Sequence, residues 1–393
     1  MRDESLSLAG EWLPVCNSED VPEGAARGFV VADERIVVWR DSVGAAHVWR
    51  DYCPHRGAQL SLGHVMRDQI VCPYHGWSYD IEGQCLRIPS NPSLRPSKRA
   101  CATTFVCEEK YGVIWMCFGE PAYALDFFPE AAIPGGRRIN LAPQTVRSSA
   151  PRVVENFLDM AHFSFVHAGI LGEDTHTEVP DYEVVASDEG LEARQCRYWQ
   201  PAGMPWQGGG AMIDYVYRVK RPLIAKLTKM ASGGQGALHI MLAASPVTQT
   251  ETRAWLVSIH EDDSTHSDRE LYDFNMEILM QDTPVVESQW PQRLPLDLDA
   301  ELHQKCDRMA VAYRRWLAGM GFGWGTTTAN RDGRRPHRRD PDRRRRLGRS
   351  RPGRGRGAVG RRREGDRFFD PEILLAGAHA RGRRGRGRAR DQP

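Results

Sequence analysis

The sequence predicts an α+β protein: an all-β module, then an antiparallel sheet with helices at its ends, then an arginine-rich tail. Three observations predict it. Short apolar runs separated by turn residues crowd residues 10–120, long alternating segments and helical patterns fill residues 146–325, and the composition changes abruptly beyond them.

Residues 1–120 read as the first domain. GFVVADERIVVWRD (28–41) alternates around an acidic turn, SVGAAHVWRDYC (42–53) follows at once, and KYGVIWMCFGEP (110–121) reads as a closing strand ended by Gly-Glu-Pro. Residues 121–145, rich in Pro, Gly and Ala, read as a linker. The second domain, residues 146–325, opens with PRVVENFLDMAHFSFVH (151–167), whose apolar residues recur at helical spacing. LEARQCRYWQ, AMIDYVYRV, ALHIMLAASPV and RAWLVSIHED then read as long antiparallel strands. Two helices close the domain, over 270–289 and 299–320; in the second, Leu302, Cys306, Met309, Tyr313 and Trp316 form one apolar stripe.

The formal net charge of +2 conceals two parts of opposite sign. Residues 331–393 hold 23 arginines, no lysine and eight acids, a net +15, so residues 1–330 carry −13. The tail, residues 326–393, cannot bury a core and is expected to be disordered. As a genuine segment it would be an arm able to bind nucleic acid, a partner otherwise not expected. Arg, Gly, Pro and Ala all have GC-rich codons, however, and a GC-rich gene read out of frame yields this composition; that reading is preferred. Nine cysteines without regular pairing argue against a disulfide framework. The start MRDESLSLAGEW lacks a basic stretch followed by an apolar run, and no window approaches the ~18 apolar residues of a membrane span. The expectation is a cytoplasmic protein with thiols free to bind metal.

Residues 53–77 carry the strongest chemical signal. Cys53-x-His55 and, after sixteen intervening residues, Cys72-x-x-His75 each mix one thiol with one imidazole. This division suits a [2Fe–2S] cluster in which one iron keeps both cysteines and the other takes both histidines, so that each loop serves both irons. Two neutral imidazoles in place of thiolates raise the potential to roughly −150 to +300 mV. Pro54, Gly57, Pro73 and Gly76 suit two tight loops facing each other. Zinc also accepts two cysteines and two histidines, but a Cys-x-His pair is cramped for a structural finger. His64, between the pairs, has no partner cysteine and reads as a loop residue.

A second candidate site lies in Asn156-x-x-Asp159-x-x-His162-x-x-x-x-His167. Two histidines and a distant carboxylate make the facial triad of non-haem Fe(II) oxygenases, with open positions for O2. At about 100° per residue, His162 and His167 would point about 140° apart on a regular helix. A π-bulge or a helix break between them is therefore implied. By spacing alone such histidines are more often core or rim residues, but a one-electron donor in the same chain favours an iron that must be reduced stepwise. For the carboxylate, Asp282 near the start of a helical run is preferred, with Glu287 and Asp297 as competitors.

Together these residues resemble the oxygenase (α) component of Rieske non-haem iron oxygenases, over residues 12–324. The resemblance is carried by CPHRG, CPYHGW, GQC and IP within residues 83–89, YGVIW, ENFLDMAHFSFVH and QDTPVVESQ. It implies a Rieske domain and a helix-grip-like catalytic domain, with Cys53, His55, Cys72 and His75 on the cluster and His162, His167 and Asp282 on the iron, Asn156 close by. It further implies a head-to-tail homotrimer in which Asp159 bridges to His75 of the next subunit. The short catalytic part is similar to the vanillate O-demethylase, dicamba monooxygenase and pheophorbide oxygenase group, which implies hydroxylation or O- or N-demethylation of an aromatic or similar apolar small molecule. A ring cis-dihydroxylating dioxygenase is the alternative outcome. A Rieske electron carrier with a ligand-binding domain is the alternative of another class.

The chain shows neither a flavin or NAD glycine fingerprint nor a four-cysteine ferredoxin run, so electrons from NAD(P)H are expected through a separate ferredoxin or flavin reductase. Phe157, Phe163, Leu171, Trp206, Trp255 and Trp290 are candidate pocket residues. The out-of-frame reading of the tail is tested by resequencing the gene across the codons for residues 326–334. A shift of frame there is expected, and an unbroken frame in independent clones rules it out.

Overall fold

The computed structural model describes residues 7–204, 209–230, 236–261 and 265–328. In the first domain β1 (Trp12–Asn17), β2 (Ala26–Val31), β3 (Glu34–Arg40) and β4 (Ala46–Arg50) are followed by four short strands. These are β5 (His64–Val65), β6 (Ile70–Val71), β7 (Ser78–Tyr79) and β8 (Cys85–Arg87), and β9 (Thr104–Lys110) and β10 (Val113–Cys117) close the domain. The six long strands form one sheet in the order β1-β10-β9-β4-β3-β2, and the short ones form a second sheet inserted between β4 and β9. Ala32 and Asp33 both take positive φ, 52° and 64°, giving the two-residue turn that matches the twist of the β2–β3 hairpin.

The second domain begins earlier than its composition suggests. β11 (Arg137–Asn140) and β12 (Gln144–Val146) pair with β18 (Thr252–His260), at one end of the large sheet. Within the segment expected to be a linker, Leu125, Phe127 and Phe128 are buried. These apolar side chains outweigh the surrounding Pro, Gly and Ala, and the segment is a wedge in the core. Next come α1 (Ala150–Phe157) and the single turn α2 (Phe163–Val166). The sheet continues as β13 (Glu183–Ser187), β14 (Gly190–Gln200), β15 (Ala211–Arg221), β16 (Ile224–Met230) and β17 (Ala237–Pro246), all antiparallel neighbours up to β18. Then follow α3 (Asp268–Ser288), β19 (Leu294–Pro295), α4 (Arg308–Met320) and β20 (Thr326–Thr327).

The large sheet is covered on both faces, which is why ALHIMLAAS reads as an almost continuous apolar run. Met241, Trp255 and Val257 on one face pack with Trp12, Trp115 and Phe128 of the preceding chain, and Trp255 Nε1 donates to Asn17 Oδ1 at 3.2 Å. Alternation sends the other residues of the same strands toward α1 and α3.

Three boundaries differ from the sequence reading. α4 starts at Arg308, because the stretch before it holds only two short 3₁₀ turns, Leu298–Ala300 and Lys305–Asp307, and Leu302 of the expected stripe is 94% exposed. Thr326–Thr327 pairs in parallel with Leu294–Pro295, so the fold continues past residue 325. The expected single helix over 151–167 is split into α1 and α2. The tail beyond residue 328 lies outside the described residues. Among the described residues, no helix is long and apolar enough to cross a membrane.

A buried ion network joins α1 to α4. Arg314 meets Glu155 through two bonds of 2.5 and 2.8 Å and Glu301 at 2.5 Å, while Arg152 reaches Glu301 at 2.6 Å. Both guanidiniums are 2% exposed, so removing Glu155 leaves two buried charges to share the one carboxylate of Glu301. Glu155→Ala is expected to destabilise the protein by about 3 kcal/mol in urea titration. A loss below about 1 kcal/mol would show that water or rearrangement replaces the carboxylate.

Candidate metal centres

Two loops of one design hold the first set of residues. Cys53 N–H donates to Ala58 O at 2.8 Å and Gly57 N–H donates to Cys53 O at 2.9 Å. In the second loop Cys72 N–H donates to Trp77 O at 2.8 Å and Gly76 N–H to Cys72 O at 3.1 Å. Gly57 and Gly76 turn the chain at φ 73° and 69°, a region in which a side chain is strained, and a Cβ on Gly57 would lie 2.9 Å from the Tyr52 ring. Each knuckle thus buries its cysteine and carries its histidine outward: Cys53 and Cys72 are buried, His55 is half-buried and His75 is exposed.

The two imidazoles face each other with ring centroids 4.5 Å apart, and Trp77 stacks on His55 at 4.4 Å. Tyr79 Oη lies 3.1 Å from Cys53 Sγ. Burial first, and then the neighbouring Cys53, push the Cys72 thiol up. His55 is held below its ordinary value by loss of solvent, by His75 and by Arg56. Its Nδ1 is buried with no hydrogen-bond partner. Two inner thiols and two outer imidazoles, one with an unused nitrogen, fit a [2Fe–2S] cluster of mixed ligation; loading it must release the thiol protons. His64 sits exposed on β5.

The second set depends on a helix that stops. After Phe157 the Asp159 carboxylate accepts the backbone N–H groups of Ala161 and His162, both at 3.1 Å, in competition with helical bonding. The chain re-enters α2 for one turn, with His162 at its start and His167 at its end, where φ −112° and ψ 37° leave the helix. The break expected between the histidines is not there: residues 163–166 form the helical turn α2, and the interruption lies before His162, over residues 158–162. Their Nε2 atoms approach to 3.2 Å.

α3 supplies the carboxylate. Asp282 Oδ1 lies 3.4 Å from His162 Nε2 and 3.2 Å from His167 Nε2. Asp282 sits in the last third of α3 and not near its start. Neighbouring ligand positions of an octahedral ion with bonds of about 2.1 Å are separated by about 3.0 Å, so this triangle suits one face of such an ion. Among the described residues this is the one group of three His, Cys, Asp or Glu residues whose donor atoms lie within 4.8 Å of one another. The competitors are occupied elsewhere: Glu287 pairs with Arg147, and Asp297 accepts the N–H of Asp299.

Both imidazoles are oriented from behind. His162 Nδ1 donates to Asp159 Oδ2 at 2.7 Å, and His167 Nδ1 donates to Gln281 Oε1 at 2.8 Å. Each Nε2 is thereby left with its lone pair directed at the shared point. Burial by itself would raise Asp159, but the hydrogen bonds from the His162 ring and from the Ala161 and His162 backbone hold it below the ordinary carboxylate range. Asn156 Nδ2 donates to Asp282 Oδ1 at 3.3 Å. Sequence reasoning missed Gln281, although its position beside Asp282 and its amide oxygen were the available signals.

A cavity of about 710 Å³, counted out to its mouth, opens over this triangle. Phe157, Phe163 and Leu171 line it as expected. Trp255 faces the other domain instead, Trp290 is 84% exposed, and Trp206 lies outside the described residues. Tyr215 and Tyr217, stacked at 5.6 Å on β15, were not foreseen, because a tyrosine in an alternating strand looks the same on either face.

Residues 11–98 match the Rieske [2Fe-2S] domain family, and residues 146–321 match the vanillate O-demethylase oxygenase C-terminal domain family. The chain is 31% identical over 326 residues to methylxanthine N1-demethylase NdmA of Pseudomonas putida, covering 81% of this chain and 90% of that protein. It is 30% identical over 328 residues to methylxanthine N3-demethylase NdmB of the same organism, covering 80% and 90%. The solved structure of NdmA with caffeine superposes with a TM-score of 0.70 at 29% identity, over 81% of this chain and 92% of the other. Dicamba monooxygenase bound to 3,6-dichlorosalicylic acid gives 0.69 at 20% identity, over 80% and 97%, which shows the shared fold.

Gln281→Leu removes the acceptor behind His167 without touching the triangle itself. Iron affinity in chelator competition is expected to fall about 10- to 100-fold, with the cluster absorption unchanged. Unaltered affinity would mean that His167 is oriented by packing alone.

Proposed function

The chain belongs to the Rieske-type iron oxygenases, and on that premise we propose that Cys53, His55, Cys72 and His75 hold its cluster, that His162, His167 and Asp282 hold its iron, and that it demethylates a methylated ring compound. As a member of that family it is an oxidoreductase, the terminal oxygenase of a multicomponent system. It uses a [2Fe–2S] cluster, a mononuclear non-haem iron, O2, and electrons passed from NAD(P)H through a reductase. The observation that carries the site assignment is the triangle of two Nε2 atoms and one carboxylate oxygen with edges of 3.2 to 3.4 Å, opening on a cavity lined by rings.

When bound, the iron supplies O2 activation at its open positions, charged by single electrons from the cluster. The side chains do the rest. Asp159 and Gln281 fix the tautomers of the two histidines, so the metal is offered lone pairs and not N–H groups. Asn156 restrains the Asp282 oxygen that faces them. The apolar and aromatic wall keeps bulk water from the reacting methyl group, and Tyr215 and Tyr217 offer flat faces to a ring. One oxygen atom enters the methyl group and the other leaves as water with two electrons and two protons; the resulting carbinol releases formaldehyde. The named activities of NdmA and NdmB support N- or O-demethylation over ring dihydroxylation.

Of the 1–120, 121–145 and 146–325 division two functional domains remain, the second taking in the strands of residues 137–146 and reaching Thr327, with Leu125, Phe127 and Phe128 packed between them. Exposed His75 and the partly exposed Asp159 side chain suit contact between neighbouring copies of the chain, in a cytoplasmic homotrimer whose cluster in one subunit reduces the iron of the next. His162→Ala tests the assignment. It is expected to lower iron from three to two per chain, to keep the cluster spectrum, and to abolish formaldehyde release with NADH and a reductase. Retained formaldehyde release, or three irons in the variant, would remove His162 from the site.

A further inference from the structure

The wall of the cavity contains one group that its fold does not explain. Of the residues that β15 to β18 present to the cavity, all are aliphatic or tyrosine except Lys229, which is 2% exposed. On β16 it lies between Tyr215 of β15 and Leu238 of β17, two apolar-bodied neighbours. Its ammonium donates to the Gly203 carbonyl and lies 5.5 Å from the Tyr215 ring. Among the described residues no carboxylate pairs with it, so two of its three N–H groups are uncommitted.

Lys226, three positions earlier and on the opposite face, is also buried, yet it is neutralised by Glu130. The contrast is informative: where this sheet buries a lysine for structure, it supplies an acid. Burial without a partner pulls Lys229 down to about 7, which means that the folded state resists its charge. An apolar residue would suit the position better for stability alone. A buried donor kept at a cost, facing a binding cavity, points to a ligand that completes it.

We propose that Lys229 determines the specificity of this pocket, and that the substrate is a methylated ring compound carrying an anionic oxygen, a carboxylate or an ionised ring carbonyl, on the edge away from the methyl group that reacts. The inference rests on the demethylase reading of the same cavity and names the class of molecule it takes. The arrangement suits such a compound. Tyr215 lies 6.0 Å from Phe163, which lies 4.9 Å from His162, so two aromatic contacts separate the lysine's neighbour from the metal triangle. A flat ring can present its methyl group to the metal end while its charged edge meets Lys229. A charge-assisted hydrogen bond in a desolvated site discriminates strongly against a neutral isostere, because the neutral molecule leaves the ammonium unpaired.

The test is equilibrium binding by calorimetry on the holoenzyme, without electrons and near neutral pH, with two matched pairs. These are para-methoxybenzoate against para-methoxybenzamide, and dimethylurate against theophylline. The wild type is expected to bind the anionic member of at least one pair about 10- to 100-fold more tightly, and the pair that responds separates a carboxylate from an ionised ring carbonyl. Lys229→Met is expected to bring that ratio within about twofold while keeping iron content, cluster spectrum and thermal midpoint. Lys229→Gln provides the same comparison if the Met variant does not fold. Equal affinities in both pairs, or failure of the wild type to bind either anion, overturns the proposal. So does a preference that survives both substitutions. Binding needs no turnover, so tight anion binding with no formaldehyde release would count against the demethylase reading and leave Lys229 in its role.

Discussion

The site depends on the hydrogen bonds of one carboxylate. Asp159 takes the N–H groups of Ala161 and His162 and the Nδ1–H of the His162 ring. The first two bonds interrupt the helix, and the third directs the imidazole that follows. The interruption falls before His162, so the two histidines flank the short turn α2, one at each of its ends. With the helix restarted at α2 and the His162 ring held by Asp159, the two Nε2 atoms stand 3.2 Å apart. The same carboxylate remains reachable from outside the protomer, since its side chain is 29% exposed.

α3 completes the site with two adjacent residues that do different things. Side chains one position apart on a helix project about 100° from each other. Asp282 consequently reaches the front of the two imidazoles while Gln281 reaches the back of His167. A rigid, capped helix is a suitable carrier for both: Ser267 and Glu270 bond reciprocally at its N-terminus. The large sheet forms the opposite wall, and its strands serve two cores at once. One face binds the first domain through Trp255 and Met241, and the other faces the cavity through Tyr217 and Leu242. β16, β17 and β18 are buried almost throughout, so packing on both faces holds their side chains in place.

The cradle in the first domain solves a different problem with the same economy of parts. Two loops from different positions in the chain adopt one hydrogen-bonding pattern, from cysteine N–H to the carbonyl five residues on and from glycine N–H back to the cysteine carbonyl. The histidine falls two residues after Cys53 and three after Cys72, yet both rings reach the outer side and lie 4.5 Å apart. Both loops run four positions from cysteine to glycine, Cys53 to Gly57 and Cys72 to Gly76, so the histidine shifts by one place within a loop of unchanged length.

The sequence by itself determined whatever is local in the chain: the Cys-His pairs with their glycines, the alternating strands of both domains, and the choice of donor types; it placed the helix break between His162 and His167, whereas the interruption precedes His162. It misjudged residues 121–145 because turn-forming composition hid three apolar anchors, and it began α4 too early because an apolar stripe does not reveal where helical bonding starts. Only the tertiary structure decided which acid meets the histidines, that Gln281 stands behind one of them, that Trp255 turns from the cavity, and that Lys229 turns into it. Those outcomes turn on contacts between residues far apart in sequence and on which face of a doubly covered sheet a side chain occupies. Periodicity separates the two faces of a strand, but when both are buried it cannot say which one is the binding wall.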